Sequence, residues 1–275
     1  MLNACMINIA NMSWFILILI FIFGASVGSF LNVVVLRLPA GKNLKGRSHC
    51  QNCKTTLGFW ELWPVFSFIF LKGRCKTCGQ KISWRYPAVE LITGLIFLFS
   101  WVWIAPQAAA EWTLVLQLWL LAAFCIAVFI IDYEHFLILD SIVFPFAAVF
   151  IAINFLLDVL NKHPGFNTSL FGFLGFLAGV LPFFLIWVFS KGRLMGFGDV
   201  KLMLPLGLVL GWPEILVGLF LAVFSGSLVG IILLFLGRKS LKSPLPFGCF
   251  LAIGAFLAKI FGSGLIVWYL SLLRI

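Results

Sequence analysis

Four cysteines in two short motifs have the spacing of a metal site. Cys50-Gln-Asn-Cys53 and Cys75-Lys-Thr-Cys78 are CxxC pairs with 21 residues between them. Each pair can present two thiolates to one ion from a tight turn, and two such turns complete a tetrahedral site. Because four soft ligands leave no open position, the pattern predicts a structural Zn²⁺. Two disulfides are the alternative, and a reducing compartment disfavours them.

Acidic residues are rare in this chain, and two of them are candidates for acid–base chemistry. Asp132 lies in Ile131-Asp-Tyr-Glu-His135, and Asp199 ends the sequence Gly196-Phe-Gly-Asp199. Two carboxylates held together cannot both ionise easily, so one can activate water while the other protonates a leaving group. The glycines at 196 and 198 would let the backbone approach a substrate strand closely. We therefore predict a catalytic pair, Asp132 and Asp199.

A structural role is the alternative for each acid taken alone. Asp132 could be a helix-end acid paired with Arg193 or Lys201, and Gly-x-Gly-Asp is a short pattern in a glycine-rich chain. A carboxylate near hydrocarbon costs roughly 2.5–3.5 kcal/mol on insertion scales, which favours a function for two acids at one depth.

The remaining polar candidates near these sites are expected to have supporting roles. We interpret Glu134 and Asp140 as solvated or supporting, with Asp140 the nearest substitute for Asp132 as a catalytic residue. His135 is not expected to act as a ligand or base. Three isolated cysteines in or near apolar stretches are interpreted as inert packing residues: Cys5, Cys125 and Cys249.

The elements that must position these residues are membrane-spanning helices. Of the 275 residues, 63% are hydrophobic and 10% are charged, and the mean hydropathy is +1.15. Soluble domains are nearer half apolar and a quarter charged, so ordinary globular and disordered classes are excluded. At about 20 residues per span, the length accommodates roughly eight helices and one modest extramembrane segment.

Uncharged stretches suitable for helices follow one another along the chain. The first, residues 14–36, has no basic residue before it and no small-residue cleavage site after it, so we expect a retained anchor. The others are 91–110, 112–131, 141–157, 164–190, 202–213, 215–237 and 243–258, and beyond Lys259 an apolar stretch extends the last one to 273. The sequence thus predicts an all-α polytopic membrane protein of about eight transmembrane helices.

Basic residues concentrate between the first two spans. Residues 37–86 contain ten Lys or Arg and one acid, Glu61, and so carry +9 of the net charge of +10. The positive-inside rule makes this segment a cytoplasmic loop, and attraction to anionic lipid adds to the effect. We interpret the charge as topological and expect no nucleic-acid partner.

This topology divides the chain into three parts. They are the N-terminal tail, placed outside, with the first helix (1–36), a cytoplasmic zinc-binding domain inserted between helices 1 and 2 (37–86), and a membrane domain with helices 2–8 (87–275) that carries both aspartates. Alternate threading then puts Asp132 and Asp199 at the cytoplasmic ends of their helices. The later inside loops receive six basic residues and the outside loops only Lys162, which agrees with this threading. The six are Lys191, Arg193, Lys201, Arg238, Lys239 and Lys242.

Two features do not follow this simple pattern. The stretch 202–213 is short and contains Pro205, which indicates a tilted, broken or re-entrant helix. Lys259 interrupts the last apolar stretch and could snorkel, pair with a carboxylate or mark a helix boundary. Pro145 and Pro182 are expected to kink their helices.

Several motifs in this order resemble those of one family, the bacterial type IV prepilin peptidases, which are GxGD-type intramembrane aspartic proteases. Gly28-Ser-Phe-Leu-Asn-Val-Val-Val-Leu-Arg-Leu-Pro39 is similar to the family's N-terminal signature. The two CxxC pairs, Ile82-Ser-Trp-Arg-Tyr-Pro-Ala-Val-Glu90 and the Asp132 motif follow. Met195-Gly-Phe-Gly-Asp-Val-Lys201 and Leu245-Pro-Phe-Gly248 complete the set.

The resemblance implies a substrate and a second activity. Family members remove the short basic leader of type IV prepilins or type II secretion pseudopilins at the cytoplasmic face of the bacterial inner membrane. Many then methylate the new N-terminal residue with S-adenosylmethionine as the methyl donor. By motif position, Asp132 and Asp199 correspond to the catalytic pair, and the four cysteines of the CxxC pairs to zinc ligands. No donor-binding residue carries over, although the basic zinc-bearing segment is the expected region.

The chain departs from the family pattern at two places. Ile138-Leu-Asp140 stands where Leu-Pro-Asp is common, and Leu62-Trp-Pro64 where Asn-Ile-Pro is usual. Neither departure affects the aspartates or cysteines. The resemblance therefore specifies cleavage more closely than it specifies substrate fit or the methylation step. A peptidase without methyltransferase activity, a transporter with an acidic proton relay and a non-catalytic assembly scaffold with a zinc ribbon are the alternatives. The lipid bilayer is a partner in every case.

Overall fold

The computed structural model describes residues 14–160, 167–237 and 244–273. Cys5, Lys162, Arg238, Lys239 and Lys242 lie outside these residues. The long helices are α1 (Trp14–Arg37), α2 (Arg85–Ile104), α3 (Ala109–His135), α4 (Asp140–Leu160), α5 (Thr168–Ser190), α6 (Phe197–Leu210), α7 (Glu214–Phe235) and α8 (Phe247–Leu272). A 3-10 turn (Phe59–Leu62) and a five-residue helix (Phe66–Phe70) lie between α1 and α2. No β-strand is found in these described ranges, so the predicted all-α architecture is confirmed.

Membrane-spanning length is present in seven of the eight long helices. These seven are 20 to 27 residues long and apolar enough to cross a bilayer. The exception is α6, with 14 residues. The short sixth apolar stretch expected from the sequence is therefore a short helix in the structure.

Some helix ends differ from the uncharged stretches because charged residues belong to helix termini. Helix α6 begins at Phe197 and so includes Asp199 and Lys201 in its first turns. Helix α8 continues through Lys259 to Leu272, which shows that Lys259 is not a helix boundary. Pro145, Pro182 and Pro205 all lie inside helices.

The chain forms two compact units, which divide after Val115 within α3. In the first unit, α1 and α2 pack closely through small residues. A methyl group on Gly24 would lie 2.8 Å from Phe97 Cβ, and one on Gly28 would lie 2.7 Å from the Cα of Glu90. Gly24 and Gly28 form a small-xxx-small pattern, which lets helix backbones approach in a membrane.

The segment between α1 and α2 exposes a cluster of large aromatic side chains. Trp60, Phe70 and Trp84 have exposed fractions of 73%, 78% and 75%. Trp60 packs against Trp63, with ring centroids 5.3 Å apart. These rings share the segment with most of the chain's basic residues.

The second unit, which begins at Leu116, contains the more buried core. Its fully buried side chains include Phe124, Phe150, Leu206 and Leu251, from α3, α4, α6 and α8. Helix α6 lies against α5 at a point where glycines face each other, since a methyl group on Gly175 would lie 2.5 Å from the Gly207 carbonyl oxygen. Close backbone contact of this kind fixes the position of the short helix.

Candidate active site

The two CxxC motifs fold into two turns with the same hydrogen bonds. In the first, Cys50 N–H donates to Thr55 O at 2.9 Å and Lys54 N–H to Cys50 O at 3.0 Å. In the second, the corresponding bonds run from Cys75 to Gln80 and from Gly79 to Cys75, both 2.9 Å. An antiparallel bridge flanks each turn, His49 with Thr56 and Arg74 with Lys81. This short internal repeat was not predicted from the sequence. The paired CxxC motifs are the signal from which it could have been found.

The four cysteine sulfur atoms converge on one point. All four Sγ atoms lie within 4.8 Å of one another, with Cys50 and Cys78 at 3.9 Å and Cys53 and Cys75 at 4.0 Å. A tetrahedral zinc site with Zn–S bonds of 2.3 Å has sulfur atoms about 3.8 Å apart. All four are free thiols rather than disulfides. The residues present therefore fit a tetrathiolate zinc ion, in agreement with the prediction.

Local hydrogen bonds favour the thiolate form of two of the four cysteines, Cys53 and Cys75. Donors of Thr55, first its hydroxyl and then its backbone N–H, lower the pKa of Cys53 to about 6. Backbone N–H groups of Cys78 and Thr77 lower the pKa of Cys75. Because only the deprotonated thiol is a metal ligand, these turns are prepared for a cation.

Asp132 lies at the junction of two helix ends. It occupies the last turn of α3 and is 6% exposed. Its Oδ2 accepts a hydrogen bond of 3.0 Å from the backbone N–H of Cys249, the third residue of α8. The first N–H groups of a helix have no partner within the helix, so a carboxylate there is stabilised by hydrogen bonding and by the helix dipole.

Gly248 makes room for this carboxylate. A methyl group at position 248 would lie 2.9 Å from Asp132 Oδ2 and 3.1 Å from its Cγ. Any side chain at 248 would therefore displace the Asp132 carboxylate or the start of α8. The Pro246-Phe247-Gly248 sequence thus places a helix N-terminus without a Cβ directly against Asp132.

Asp199 is the third residue of α6, also at a helix N-terminus, and it is partly exposed. Ile138, in the loop after α3, lies close to both the start of α6 and the start of α8. It is 3.2 Å from a methyl group placed on Gly198 and 3.4 Å from one placed on Gly248, next to Asp132. The carboxyl groups of Asp132 and Asp199 interact electrostatically. The structure therefore brings the two predicted acids to one place, and such a pair can divide acid and base roles.

Two family models match successive parts of this chain. The family model "Bacterial Peptidase A24 N-terminal domain" matches residues 22–104, and "Type IV leader peptidase family" matches residues 119–231. A prepilin leader peptidase/N-methyltransferase of Bacillus subtilis (strain 168) is 32% identical over 92% of this chain and 98% of its own length. The chain belongs to the type IV leader peptidase family.

Two further relatives in this family are similar over nearly their whole length. Proteins named prepilin leader peptidase/N-methyltransferase from Aeromonas hydrophila and Legionella pneumophila are 31% and 28% identical, each over 98% of this chain and 99% of their own length. No solved structure matches the chain. The two family models separate the two candidate sites: the four cysteines fall in the first match and both aspartates in the second.

Other polar residues close to the two aspartates in sequence pair with one another in the structure. Lys201 Nζ lies 2.8 and 2.9 Å from the two carboxylate oxygens of Asp140, an exposed ion pair between α6 and α4. The structure thus pairs Lys201 with Asp140 rather than with Asp132. His135 and Glu134 are exposed and face each other at 4.0 Å.

Cys249 has a larger role than its sequence context indicates. Cys125 is buried, as expected of a packing residue. Cys249 is also buried, but its N–H contacts Asp132 and its thiol donates to Phe129 O at 3.2 Å. The first contact uses the backbone, so the residue type could not reveal it; the helix start at Pro246-Phe247-Gly248 is the available signal.

Proposed function

We propose that this protein is a membrane aspartic endopeptidase that removes the leader peptide of type IV prepilins and then methylates the new N-terminus. The observation that supports cleavage is the pair of carboxylates of Asp132 and Asp199. They lie at the C-terminal end of α3 and at the N-terminal ends of α6 and α8. Family membership supports both activities, since the relatives are named for leader cleavage and N-methylation.

In the proposed cleavage, the two carboxylates share one proton and hold a water molecule between them. The ionised member removes a proton from the water, which attacks the scissile carbonyl carbon, and the protonated member gives its proton to the leaving amine. Because the two groups interact, the pair titrates as a unit and neither acid is assigned a fixed role. The Cys249 N–H keeps the Asp132 carboxylate oriented throughout.

A cavity in the first unit supports the proposed methyl transfer. Its volume is about 610 Å³, and its walls come from α1, the zinc-bearing segment and the start of α2. Ligand pockets usually have volumes of about 300–1,000 Å³. Polar side chains from each of these elements line it: Asn32, Arg37, His49, Cys50, Ser83 and Glu90.

Two acceptor groups in this cavity fit S-adenosylmethionine, which supplies an electrophilic methyl group. Asn32 donates through Nδ2 to Tyr86 O at 3.1 Å, while its buried Oδ1 has no partner among the described residues. Glu90 accepts a hydrogen bond from Val65 N–H at 2.7 Å and provides a negative charge. An unpaired buried acceptor needs a donor, and a sulfonium ion or ammonium group needs a carboxylate. We infer that Asn32 and Glu90 hold the methyl donor.

The zinc ion would fold the segment that forms this cavity. Residues 37–84 contain only the 3-10 turn and one five-residue helix, so little secondary structure holds them. Four thiolates bound to one ion would connect the two CxxC turns and stabilise the cavity wall, which includes Cys50 and Cys75. The proposed role of zinc is therefore structural.

The charge distribution supports the proposed location in the bacterial inner membrane. With residues 37–86 in the cytoplasm, the N-terminus lies outside and both aspartates lie near the cytoplasmic face, where a basic leader would be accessible. Type II secretion pseudopilins, which carry the same kind of leader, are proposed as additional substrates.

Incubation of the purified protein with a prepilin in lipid nanodiscs tests the proposal. The wild type should yield a shortened product, whereas Asp132→Asn and Asp199→Asn should each yield none. Glu134→Gln, an exposed acid two residues from Asp132, is the matched control and should cleave normally. Processing by either aspartate variant would reject the catalytic pair, and no product from the wild type would favour a transporter or scaffold.

Adding methyl-labelled S-adenosylmethionine to the same reaction tests the second step. Label should appear on the new N-terminal residue of the cleaved product. Cleavage without any label would make the protein a peptidase only.

A further inference from the structure

Helix α6 is too short to cross the hydrophobic layer of a bilayer. Its 14 residues extend about 21 Å at 1.5 Å per residue, whereas the hydrocarbon core is about 30 Å thick. The N-terminal end carries Asp199 and the exposed Asp140–Lys201 ion pair. The C-terminal end at Leu210 must therefore place its last four carbonyl groups where no water is available.

Three of these carbonyl oxygens have partners in the structure. Gly211 N–H donates to Gly207 O at 2.9 Å, which is an ordinary helix-end bond. The other two are satisfied by side chains from neighbouring helices: Asn154 Nδ2 on α4 donates to Leu208 O, and Lys259 Nζ on α8 donates to Val209 O, both at 2.8 Å. Side chains from α4 and α8 thus cap α6.

The two capping side chains are themselves held in position. Asn154 is 2% exposed, and its Oδ1 accepts a 2.8 Å hydrogen bond from Gln117 Nε2 on α3. Lys259 interacts electrostatically with Glu214 at the start of α7. A helix C-terminus carries a partial negative charge, so an ammonium group there is favourable in a site where an isolated charge would be costly.

We propose that Lys259 and Asn154 are positioning residues that fix the depth of α6 and thereby hold Asp199 beside Asp132. Val209 is ten residues after Asp199 on the same helix, about 15 Å along its axis, so neither residue touches the reacting atoms. Helix α6 is continuous from Phe197 to Leu210 although it contains Pro205, so an axial shift at its C-terminus also moves its N-terminus. The effect on catalysis rests on the proposed function, whereas the capping itself does not.

Substitutions of Lys259 test both the capping of α6 and its effect on catalysis. Lys259→Met keeps an unbranched side chain, one atom shorter, but removes the donor and the charge. It should lower kcat by up to roughly 100-fold with KM unchanged, because a small misplacement of a catalytic group has that effect. Lys259→Arg retains a charged donor and should restore most of kcat. Lys191→Met, at the exposed C-terminus of α5, is the matched control and should behave as the wild type.

Hydrogen–deuterium exchange in nanodiscs gives a readout that does not depend on activity. Lys259→Met should increase exchange of the backbone amides in residues 207–212, with little change in α3. Asn154→Ala should give the same local increase and a smaller loss of kcat. It serves as the second test if Lys259→Met does not fold.

Each outcome decides one of the two proposals. Wild-type kcat and exchange in both Lys259→Met and Asn154→Ala would reject the capping role, even if the aspartate variants are inactive. Cleavage by Asp199→Asn would reject the proposed catalytic pair, while the exchange data would still decide whether α6 is capped. A loss of kcat in Lys259→Met that Lys259→Arg does not rescue would also overturn the proposal.

Discussion

The two compact units hold their functional side chains by different physical means. In the first, the four cysteines come from turns in a segment with little helix, and they are positioned so that one metal ion could hold them together. In the second, Asp132 and Asp199 sit on helices whose packing is already complete, and a helix N-terminus orients Asp132. The first site should therefore be sensitive to ligand loss, and the second to changes of an ångström in backbone packing.

Removing the metal should produce the largest effect, and only in the first unit. Replacement of Cys50 and Cys75 by Ser should unfold residues 37–84, since structural zinc contributes roughly 10–16 kcal/mol in zinc-finger peptides. Methyl transfer should be lost as well, because both cysteines line the cavity. Limited proteolysis with zinc analysis measures this effect. Gln51→Ala and Thr77→Ala, exposed positions within the same turns, should stay folded; equal protease resistance of metal-free protein would contradict the prediction.

A single methyl group should have the next largest effect, and only in the second unit. Gly248→Ala places a carbon 2.9 Å from Asp132 Oδ2, so we expect cleavage to fall by roughly 100-fold. Gly264→Ala on the same helix has nothing within 4 Å of the new methyl group and is the control. Initial rates with prepilin substrate measure the difference. Similar rates for the two variants would show that the Asp132 position is tolerant.

Removing the charge of Glu90 should weaken the methyl-donor site without affecting cleavage. A hydrogen bond to a charged group contributes about 1.5–3 kcal/mol, so Glu90→Gln should reduce S-adenosylmethionine affinity about tenfold or more. Calorimetric titration gives the affinity, and prepilin cleavage by the same sample shows that it remains active. An affinity equal to that of Glu134→Gln would place the donor elsewhere.

The smallest effect is expected for the exposed ion pair beside the aspartates. Asp140→Asn should change stability by less than about 1 kcal/mol, because exposed ion pairs contribute little. Cleavage should stay within a few-fold of the wild type. Thermal unfolding and initial rates measure both quantities. Complete inactivation, as predicted for Asp132→Asn, would instead make Asp140 the catalytic acid.

Patterns local in sequence predicted more of this structure than contacts between distant residues did. The CxxC spacing predicted the cysteine cluster because a tetrahedral ion restricts where its ligands can lie. Apolar length likewise predicted the seven helices of spanning length, although the short sixth stretch was counted from the sequence as an eighth span. The start of α6 was misplaced by five residues because Asp199 and Lys201, which ended the uncharged stretch, are accommodated at a helix N-terminus.

Contacts that use the backbone were hidden from the sequence. Cys249 orients Asp132 through its N–H, and Lys259 binds the carbonyl oxygen of Val209, 50 residues away. In each contact one of the two groups belongs to the backbone, the N–H of Cys249 or the carbonyl of Val209. No pairing of side-chain types could therefore indicate either contact. Pairing with a carboxylate, one of the roles considered for Lys259, describes its electrostatic interaction with Glu214 but not its hydrogen bond to the backbone.

The exposed rings of Trp60, Phe70 and Trp84 have a practical consequence for work on the zinc-bearing segment. Tryptophan is enriched in the headgroup layer, and lysine and arginine are attracted to anionic lipids, so this surface suits a membrane boundary better than bulk water. A fragment containing residues 37–86 alone would present those rings to the buffer and aggregate. Work on the four-cysteine segment therefore needs a bilayer, or a detergent in its place.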